Sequence, residues 1–327
     1  MTNHALISQS IQFPIGVSLS CVMPAYNEAK NLGKTVPKVI TALSELSTHF
    51  ELVVVNDGSR DATEQILNEL SAQFPQLLAI NLSRNFGKEA AITAGLDATN
   101  GEVVFIMDAD GQHPVNLLPD MMKIWQQGFD VVYAVRKTRH DQSKLQIAFT
   151  KVFYELINWR SRVEIPANAG DFRLMSRAVV QALQQLPERN RFMKGLYAWV
   201  GFKSAAINYE PLPREDGASN FGFRGALSLA LTGLMAFSVA PLRLVSYFGF
   251  LLAVIAMGYG AWVIFDFFWF GAETPGYATI VVGMMFFSGI QLMSIGILAE
   301  YVGRIYDEVK QRPTYLIRNR TGKGLNS

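Results

Sequence analysis

Charge is scarce in this chain: only 17% of its 327 residues are Asp, Glu, Lys or Arg and half are hydrophobic, where a soluble domain carries about 25% charged residues. Mean hydropathy is positive, so part of the chain is expected to meet lipid. A formal net charge of +2 is too small for the broad basic face that nucleic acid requires. The lone cysteine, Cys21, lies in the apolar stretch 19–23. It excludes an intrachain disulfide and a cysteine-rich zinc site, and reads as a small buried core residue. Residues 1–18 lack the charged start, apolar centre and small-residue cleavage site of a secretory signal, and read as a loose N-terminal arm. Neither G-x-G-x-x-G nor G-x-x-x-x-G-K-[ST] occurs, which disfavours a dinucleotide-dependent oxidoreductase and a P-loop nucleotidase.

What is present divides near Phe221. Before it, the apolar runs 19–23, 52–55, 77–82, 103–107 and 131–135 read as strands, and the stretches 29–46, 61–70, 88–98 and 115–126 as helices. That βαβα alternation predicts an α/β domain over 19–221 with a mostly parallel sheet covered on both faces.

After Phe221 two long apolar segments appear. Residues 244–270 carry one charge, Asp266, and residues 277–299 carry none. Each exceeds the roughly 20 residues needed to cross a hydrocarbon core, so both are expected to span the membrane. Arg214, Arg224 and Arg243 precede the first span and Arg304, Lys310, Arg312, Arg318, Arg320 and Lys323 follow the second, whereas the connecting loop holds Glu273 and no basic residue. The positive-inside rule therefore puts both termini and the α/β domain in the cytoplasm, with 300–327 as a cytoplasmic tail. Trp262, Trp269 and Tyr277 fit an aromatic belt on the outer side. Between the halves, in 222–241, Arg224, Ser228 and Thr232 line one face of an otherwise apolar segment. It reads as an amphipathic helix lying in the membrane interface or, alternatively, as an internal helix of the α/β domain.

The chemistry concentrates at strand ends. In "IMDADGQHP" the fourth strand runs into Asp108 and Asp110. In extended chain, residues two apart share a side, so both carboxylates can face one ion or its water. Magnesium is typically held by one or two carboxylates together with substrate phosphates. The first and second strands end in "VMPAYNEAKNL" and "VVVNDGSRDAT", bringing Tyr26, Asn27, Glu28 and Asp57 to the same crevice. Asp57 can accept hydrogen bonds from a base or ribose and Tyr26 can stack on a ring, while Asn27 and Asp61 also read as helix caps and 56–59 as a turn.

The ordered set Pro24-Ala25-Tyr26-Asn27-Glu28, Asn56-Asp57-Gly58-Ser59, Asn85-Phe86-Gly87-Lys88, Asp108-Ala109-Asp110-Gly111-Gln112 and Gly170-Asp171-Phe172-Arg173 resembles family 2 glycosyltransferases of the GT-A (nucleotide-diphospho-sugar transferase) fold. With the two terminal spans and "LAEYVGRIYDEVKQRPTY" it resembles the polyprenyl-phosphate glycosyltransferases, among them bactoprenol glucosyltransferases and dolichol-phosphate mannose synthases. The resemblance covers about 19–315. It implies Asp108 and Asp110 as the site of a Mg2+ or Mn2+ ion and the donor diphosphate. Pro24, Tyr26, Asn27, Glu28, Asp57, Lys88, Ala109 and Gln112 would lie around the donor, Asp110, Asp171 and Arg214 would serve catalysis, and Arg136, Lys151, Arg214 and Ser219 would hold the acceptor phosphate. Asn56 departs from the aspartate common in relatives. Asn220 replaces a common lysine in the pattern marked by Arg214, Gly217 and Ser219.

The implied reaction is inverting attack by a membrane lipid phosphate on the anomeric carbon of a nucleotide sugar, UDP-glucose foremost, at the cytoplasmic face of a bacterial inner membrane. A phosphate monoester has its second pKa near ~6 and is largely dianionic at neutral pH, so no strong general base is required. Asp171 is then as suited to orienting a substrate as to abstracting a proton. A modified arabinose, an N-acetylhexosamine or mannose as the sugar, and a non-catalytic nucleotide-sensing or recruitment protein, are the alternatives. A processive polysaccharide synthase is disfavoured by the absence of Gln-x-x-Arg-Trp. The resemblance is also compatible with a homotetramer.

Overall fold

The computed structural model describes residues 16–136, 169–189, 191–210, 212, 240–270 and 276–326. Residues 222–239 of the expected interfacial segment and the acceptor-phosphate candidates Lys151, Arg214 and Ser219 lie outside the described residues, as do residues 1–15 of the arm; Ala240 and Pro241, expected to close that segment, instead open a long helix.

Four strands and three helices alternate as the hydropathy predicts: β1 (Leu19–Ala25), α1 (Ala29–Leu46), β2 (Phe50–Asn56), α2 (Thr63–Gln73), β3 (Leu77–Leu82), α3 (Lys88–Ala98) and β4 (Val103–Ile106). A 3-10 turn (Val115–Leu117) leads into α4 (Leu118–Gln126), followed by β5 (Val131–Arg136), β6 (Ala169–Ser176), α5 (Arg177–Gln184), α6 (Met193–Trp199) and β7 (Ser204–Tyr209). Two long helices follow, α7 (Ala240–Phe270) and α8 (Tyr277–Val309), and then β8 (Ile317–Gly322).

The strands form one sheet in the order β7-β5-β6-β4-β1-β2-β3-β8. The β4-β1-β2-β3 block is parallel, and so is β5-β7. The pairs β4-β6, β5-β6 and β3-β8 are antiparallel. The strands β1 and β2 are wholly buried, as a sheet covered on both faces requires. One face carries α1, α2 and α4 over Leu19, Cys21, Met23, Leu52, Val54 and Phe105; the other carries α3 on Val53 and Val55, and α5 and α6 on Val104 and Met175. Cys21 is fully buried, as expected, and burial pushes its thiol pKa up. Gly95 lets α3 lie against β1, because a Cβ there would overlap Val22 Cγ1.

From β1 the chain steps to β2 and β3 on one side and then to β4 on the other. Adjacent loops at the carboxyl ends of β1 and β4 therefore diverge, and ligands of open α/β sheets collect in such a crevice.

Of the two expected spans, α8 contains a stretch, Phe286–Val309, that is long and apolar enough to cross a membrane, while the apolar stretch of α7, Tyr247–Trp262, is shorter. The segment expected as a tail returns to the domain: β8 pairs with β3 from Leu78↔Gly322 to Leu82↔Ile317.

Candidate active site

The acidic pair follows β4, but the strand stops at Ile106 and a turn, rather than extended chain, sets its geometry. Asp110 Oδ1 accepts the Gln112 amide at 3.1 Å and Gly111 adopts φ +73°, a conformation glycine reaches without a Cβ clash. Ala109 is buried, and the carboxylates on either side of it are half-buried. His113 closes the loop from below. Its Nδ1 accepts the Asp108 amide at 2.9 Å, and its ring stacks on Phe172 at 4.6 Å and meets the Tyr209 edge at 6.1 Å. That bond leaves the neutral imidazole its proton on Nε2, 3.8 Å from Asp108 Oδ2. Burial lowers the His113 pKa against the opposing pull of Asp108 and Asp110.

Lys88, the first residue of α3, lies between two carboxylates, with Nζ 2.6 Å from Asp108 Oδ1 and 2.8 Å from Asp171 Oδ2. Burial alone would lower its pKa; the two carboxylates override this and hold the ammonium above its ordinary value. Burial likewise works to raise Asp171, but Lys88, Lys194 and Arg173 hold it well below the usual carboxylate range. Asp171 and Arg173 share one face of β6, two residues apart. The Arg173 guanidinium is buried over the Tyr197 ring at 3.4 Å and donates to the Gly170 carbonyl at 2.6 Å. Glu89, next to Lys88, accepts the Met193 amide at 3.3 Å. Burial first, and then Asp171, push its pKa up to about 7.

The loops after β1 and β2 are stitched together. Asn27, at φ +55°, donates its amide to Ser59 Oγ and accepts the Arg60 amide on Oδ1, both at 2.9 Å. The Glu28 amide donates to Thr63 Oγ1 at 3.0 Å and its carboxylate accepts from Asn31 at 2.6 Å. Asp61 accepts the amides of Ala29 and Thr63 at 3.2 and 3.0 Å, so it ties the starts of α1 and α2. Asp57 is buried and its two oxygens accept the amides of Phe86 and Gly87 at 2.7 and 2.9 Å. Pro24 is buried beneath the crevice and Tyr26 is half-buried at its edge. Asn56 donates through Nδ2 to Asn81 Oδ1 at 2.8 Å, a buried neutral pairing.

On the far side of the acidic pair, Arg136 donates to Tyr209 Oη at 3.2 Å and to Gln112 Oε1 at 3.5 Å. The expected residues Lys88, Asp108 and Asp171 thus meet in one cluster, and Gln112 and Arg136 in a second beside it. His113, Glu89, Tyr197 and Lys194 escaped the sequence reading, whereas Arg173 belongs to the Gly170-Asp171-Phe172-Arg173 motif already singled out there.

Among the described residues no group of three or more His, Cys, Asp and Glu side chains is placed to enclose a metal. The donor set instead suits a hard divalent ion held by one or two carboxylates, the remaining ligands being diphosphate oxygens and water. Lys88 engages Asp108 Oδ1, and Asp110 Oδ1 accepts the Gln112 amide.

A covered, mostly parallel sheet with an acidic crevice at its switch point is the arrangement in which open α/β proteins bind their ligands. Residues 20–184 match glycosyl transferase family 2, and 240–305 match the GtrB C-terminal hairpin. The chain belongs to glycosyl transferase family 2. The bactoprenol glucosyl transferase of Shigella phage SfX is 42% identical over 305 residues, 93% of this chain and 100% of that protein. The prophage bactoprenol glucosyl transferase homolog of Escherichia coli K12 is 41% identical over 303 residues, 92% of this chain and 99% of that one. Among solved structures, glucosyl-3-phosphoglycerate synthase from Mycobacterium tuberculosis with Mn2+ and UDP-glucose aligns at 17% identity and TM-score 0.46, over 67% of this chain and 78% of that one.

Proposed function

We propose that this chain transfers glucose from UDP-glucose to a polyprenyl phosphate at the cytoplasmic face of the membrane, with inversion at the anomeric carbon. The observation that carries the reading is the 42% identity to bactoprenol glucosyl transferases across both the α/β domain and the helical hairpin.

In this reading Asp108 and Asp110 would hold a Mg2+ or Mn2+ ion for the donor diphosphate. The bound ion supplies Lewis-acid stabilisation of the charge that gathers on the departing nucleotide. The chain's own groups do the remaining work. Lys88 keeps the acidic cluster from carrying uncompensated charge. Gln112 reaches from the acidic turn toward Arg136, and Arg136 offers a guanidinium suited to bidentate contact with the acceptor phosphate. The family resemblance adds Lys151, Arg214 and Ser219 as further candidates for that contact. The acceptor arrives as a dianion, so Asp171 orients rather than deprotonates.

Membrane placement follows from connectivity. β8 comes after α8 and pairs with β3, which precedes α7, so the chain on either side of the helix pair lies in one sheet. A sheet cannot straddle a bilayer, and the number of crossings between its strands must therefore be even. That supports two spans, α7 and α8, with the domain and β8 on one side, which the lysine and arginine distribution suggests is the cytoplasmic one. Their outward apolar side chains, such as Phe250 and Trp269, each 72% exposed, suit a lipid solvent.

Incubating detergent-purified protein with Mn2+, a polyprenyl phosphate and a panel of UDP- and GDP-sugars, with the lipid product read by mass, tests the proposal. A hexose adduct from UDP-glucose alone is the expected result. An adduct from another sugar only would overturn the donor assignment, and no adduct with any donor would overturn the reaction.

A further inference from the structure

Lys88 stands at a junction. Its ammonium joins the end of β4, through Asp108, to β6, through Asp171, at 2.6 and 2.8 Å. Its own backbone is fixed from two directions. Asp57 pins the amides of Phe86 and Gly87 immediately before it, and Gly95 lets α3 sit hard against β1. The backbone from which the lysine side chain springs is therefore fixed, and its ammonium reaches both carboxylates. Asp171 in turn has one oxygen, Oδ2, on Lys88, while Oδ1 is buried and has no hydrogen-bond partner among the described residues. A buried carboxylate oxygen left without a donor is costly unless a ligand completes it.

We propose that Lys88 is a positioning residue, whose ammonium clamps Asp171 by Oδ2 so that Oδ1 is presented to the substrates in fixed register with the acidic turn of Asp108 and Asp110. This rests on the glycosyl-transfer reading above. A direct contact to the donor would put Lys88 energy into nucleotide affinity. A clamp instead puts it into the turnover of a donor already bound, because misplacing a reacting constellation by about 1 Å can cost roughly 100-fold in rate. Without the ammonium, Asp108 and Asp171 lose the cation they share and with it their fixed geometry, although Lys194 and Arg173 still face Asp171.

The test compares Lys88→Met, Lys88→Arg and Asp171→Asn in the full-length purified protein. UDP affinity with Mn2+ is measured by calorimetry, and kcat and KM by lipid-product formation. The clamp predicts that Lys88→Met lowers kcat by roughly 100-fold with UDP affinity within about threefold of wild type, and that Lys88→Arg recovers part of kcat. A parallel loss of UDP affinity would make Lys88 a donor ligand and overturn the clamp. A second measurement needs no turnover. Thermal unfolding of Lys88→Met, Asp171→Asn and the double variant should be non-additive, the double variant melting above Lys88→Met because the orphaned charge is gone. Additivity would also overturn the clamp. Where Lys88→Met does not fold, Lys88→Arg and Lys88→Gln carry the same comparisons. Wild-type protein without transfer activity would defeat the glycosyl-transfer reading, while the unfolding cycle would still decide the clamp.

Discussion

The Asp57 carboxylate accepts the amide of Gly87 at 2.9 Å and, through its other oxygen, that of Phe86 at 2.7 Å. A residue whose type and position suggest a nucleoside ligand thus also holds the loop from which Lys88 projects. Burial raises its pKa, and the two amides and Arg84 oppose that rise.

Replacing Asp57 by alanine strands two partly buried amides. Charged hydrogen bonds are worth about 1.5–3 kcal/mol each, so a loss of roughly 3–6 kcal/mol is expected. An asparagine side chain retains one acceptor oxygen, so Asp57→Asn should fall between wild type and Asp57→Ala in thermal unfolding of the detergent-solubilised protein. A variant that melts like wild type while its donor affinity collapses would return Asp57 to a purely ligand-binding role.

Glu89 provides a pH prediction. Its folded-state pKa stands at about 7, above the ordinary 4.5, through burial and the neighbouring Asp171, against Lys88, Lys194 and the Met193 amide. Because the folded value is the higher one, the stabilisation is complete below the unfolded pKa and is lost as pH rises through about 7. Glu89→Gln keeps an acceptor for Met193 and cannot ionise. Its melting temperature relative to wild type should therefore rise between pH 5 and pH 8, and a gap that does not change with pH would contradict the buried acid.

Much of this architecture was legible in the sequence. The strands β1 to β5 and helices α1 to α4 announced themselves because apolar residues fill most of their buried positions, and α1, α3 and β3 were read with the bounds the structure gives. The strands β6, β7 and β8 were not read. β6 carries Asp171 and Arg173 on its active-site face, which breaks the apolar run; β7 is built of small residues and Asn; β8 is an edge strand whose Arg318 and Arg320 make it look like a solvated tail. Polar edge strands of this kind resist stray pairing and for the same reason evade hydropathy. At the site, the spacing Asp-x-Asp was visible, whereas Lys88 joining Asp108 to Asp171 depends on α3 and β6 meeting, which no local pattern encodes.

Asp110 separates metal chemistry from folding. It is half-buried in a turn that Gly111 and His113 also shape. Asp110→Ala removes the 3.1 Å acceptor for the Gln112 amide, a stability change of about 1 kcal/mol. Transfer should nevertheless fall by at least about 100-fold, since a metal-stabilised leaving group is worth several kcal/mol. Chelation of the wild type should abolish product and added Mg2+ or Mn2+ restore it. Full activity in Asp110→Ala at wild-type melting temperature would remove the acidic turn from the reaction.

The last prediction concerns the return of the chain after α8. Glu51 is fully buried at the opposite end of the sheet from the crevice, and accepts Ser20 Oγ at 2.7 Å, the Asn100 amide at 2.8 Å and the Leu325 amide at 3.0 Å. It thus anchors the turn beyond β8, while Arg318 pairs with Glu64, Thr321 with Asn68 and Tyr315 with Asp97 along the surface. Exposed pairs contribute about 0–1 kcal/mol, so Arg318→Ala should be nearly silent. Glu51→Ala strands buried donors on three segments and should cost roughly 3–5 kcal/mol. Deleting residues 313–327 removes β8 and uncovers the β3 edge with Leu78, Ile80 and Leu82. An unpaired edge of that kind templates aggregation. Size-exclusion chromatography should therefore show the truncated protein as aggregate while Arg318→Ala elutes with the wild type. A monodisperse, active truncation would mean that β8 is dispensable to the sheet, and would remove the connectivity argument for an even number of crossings.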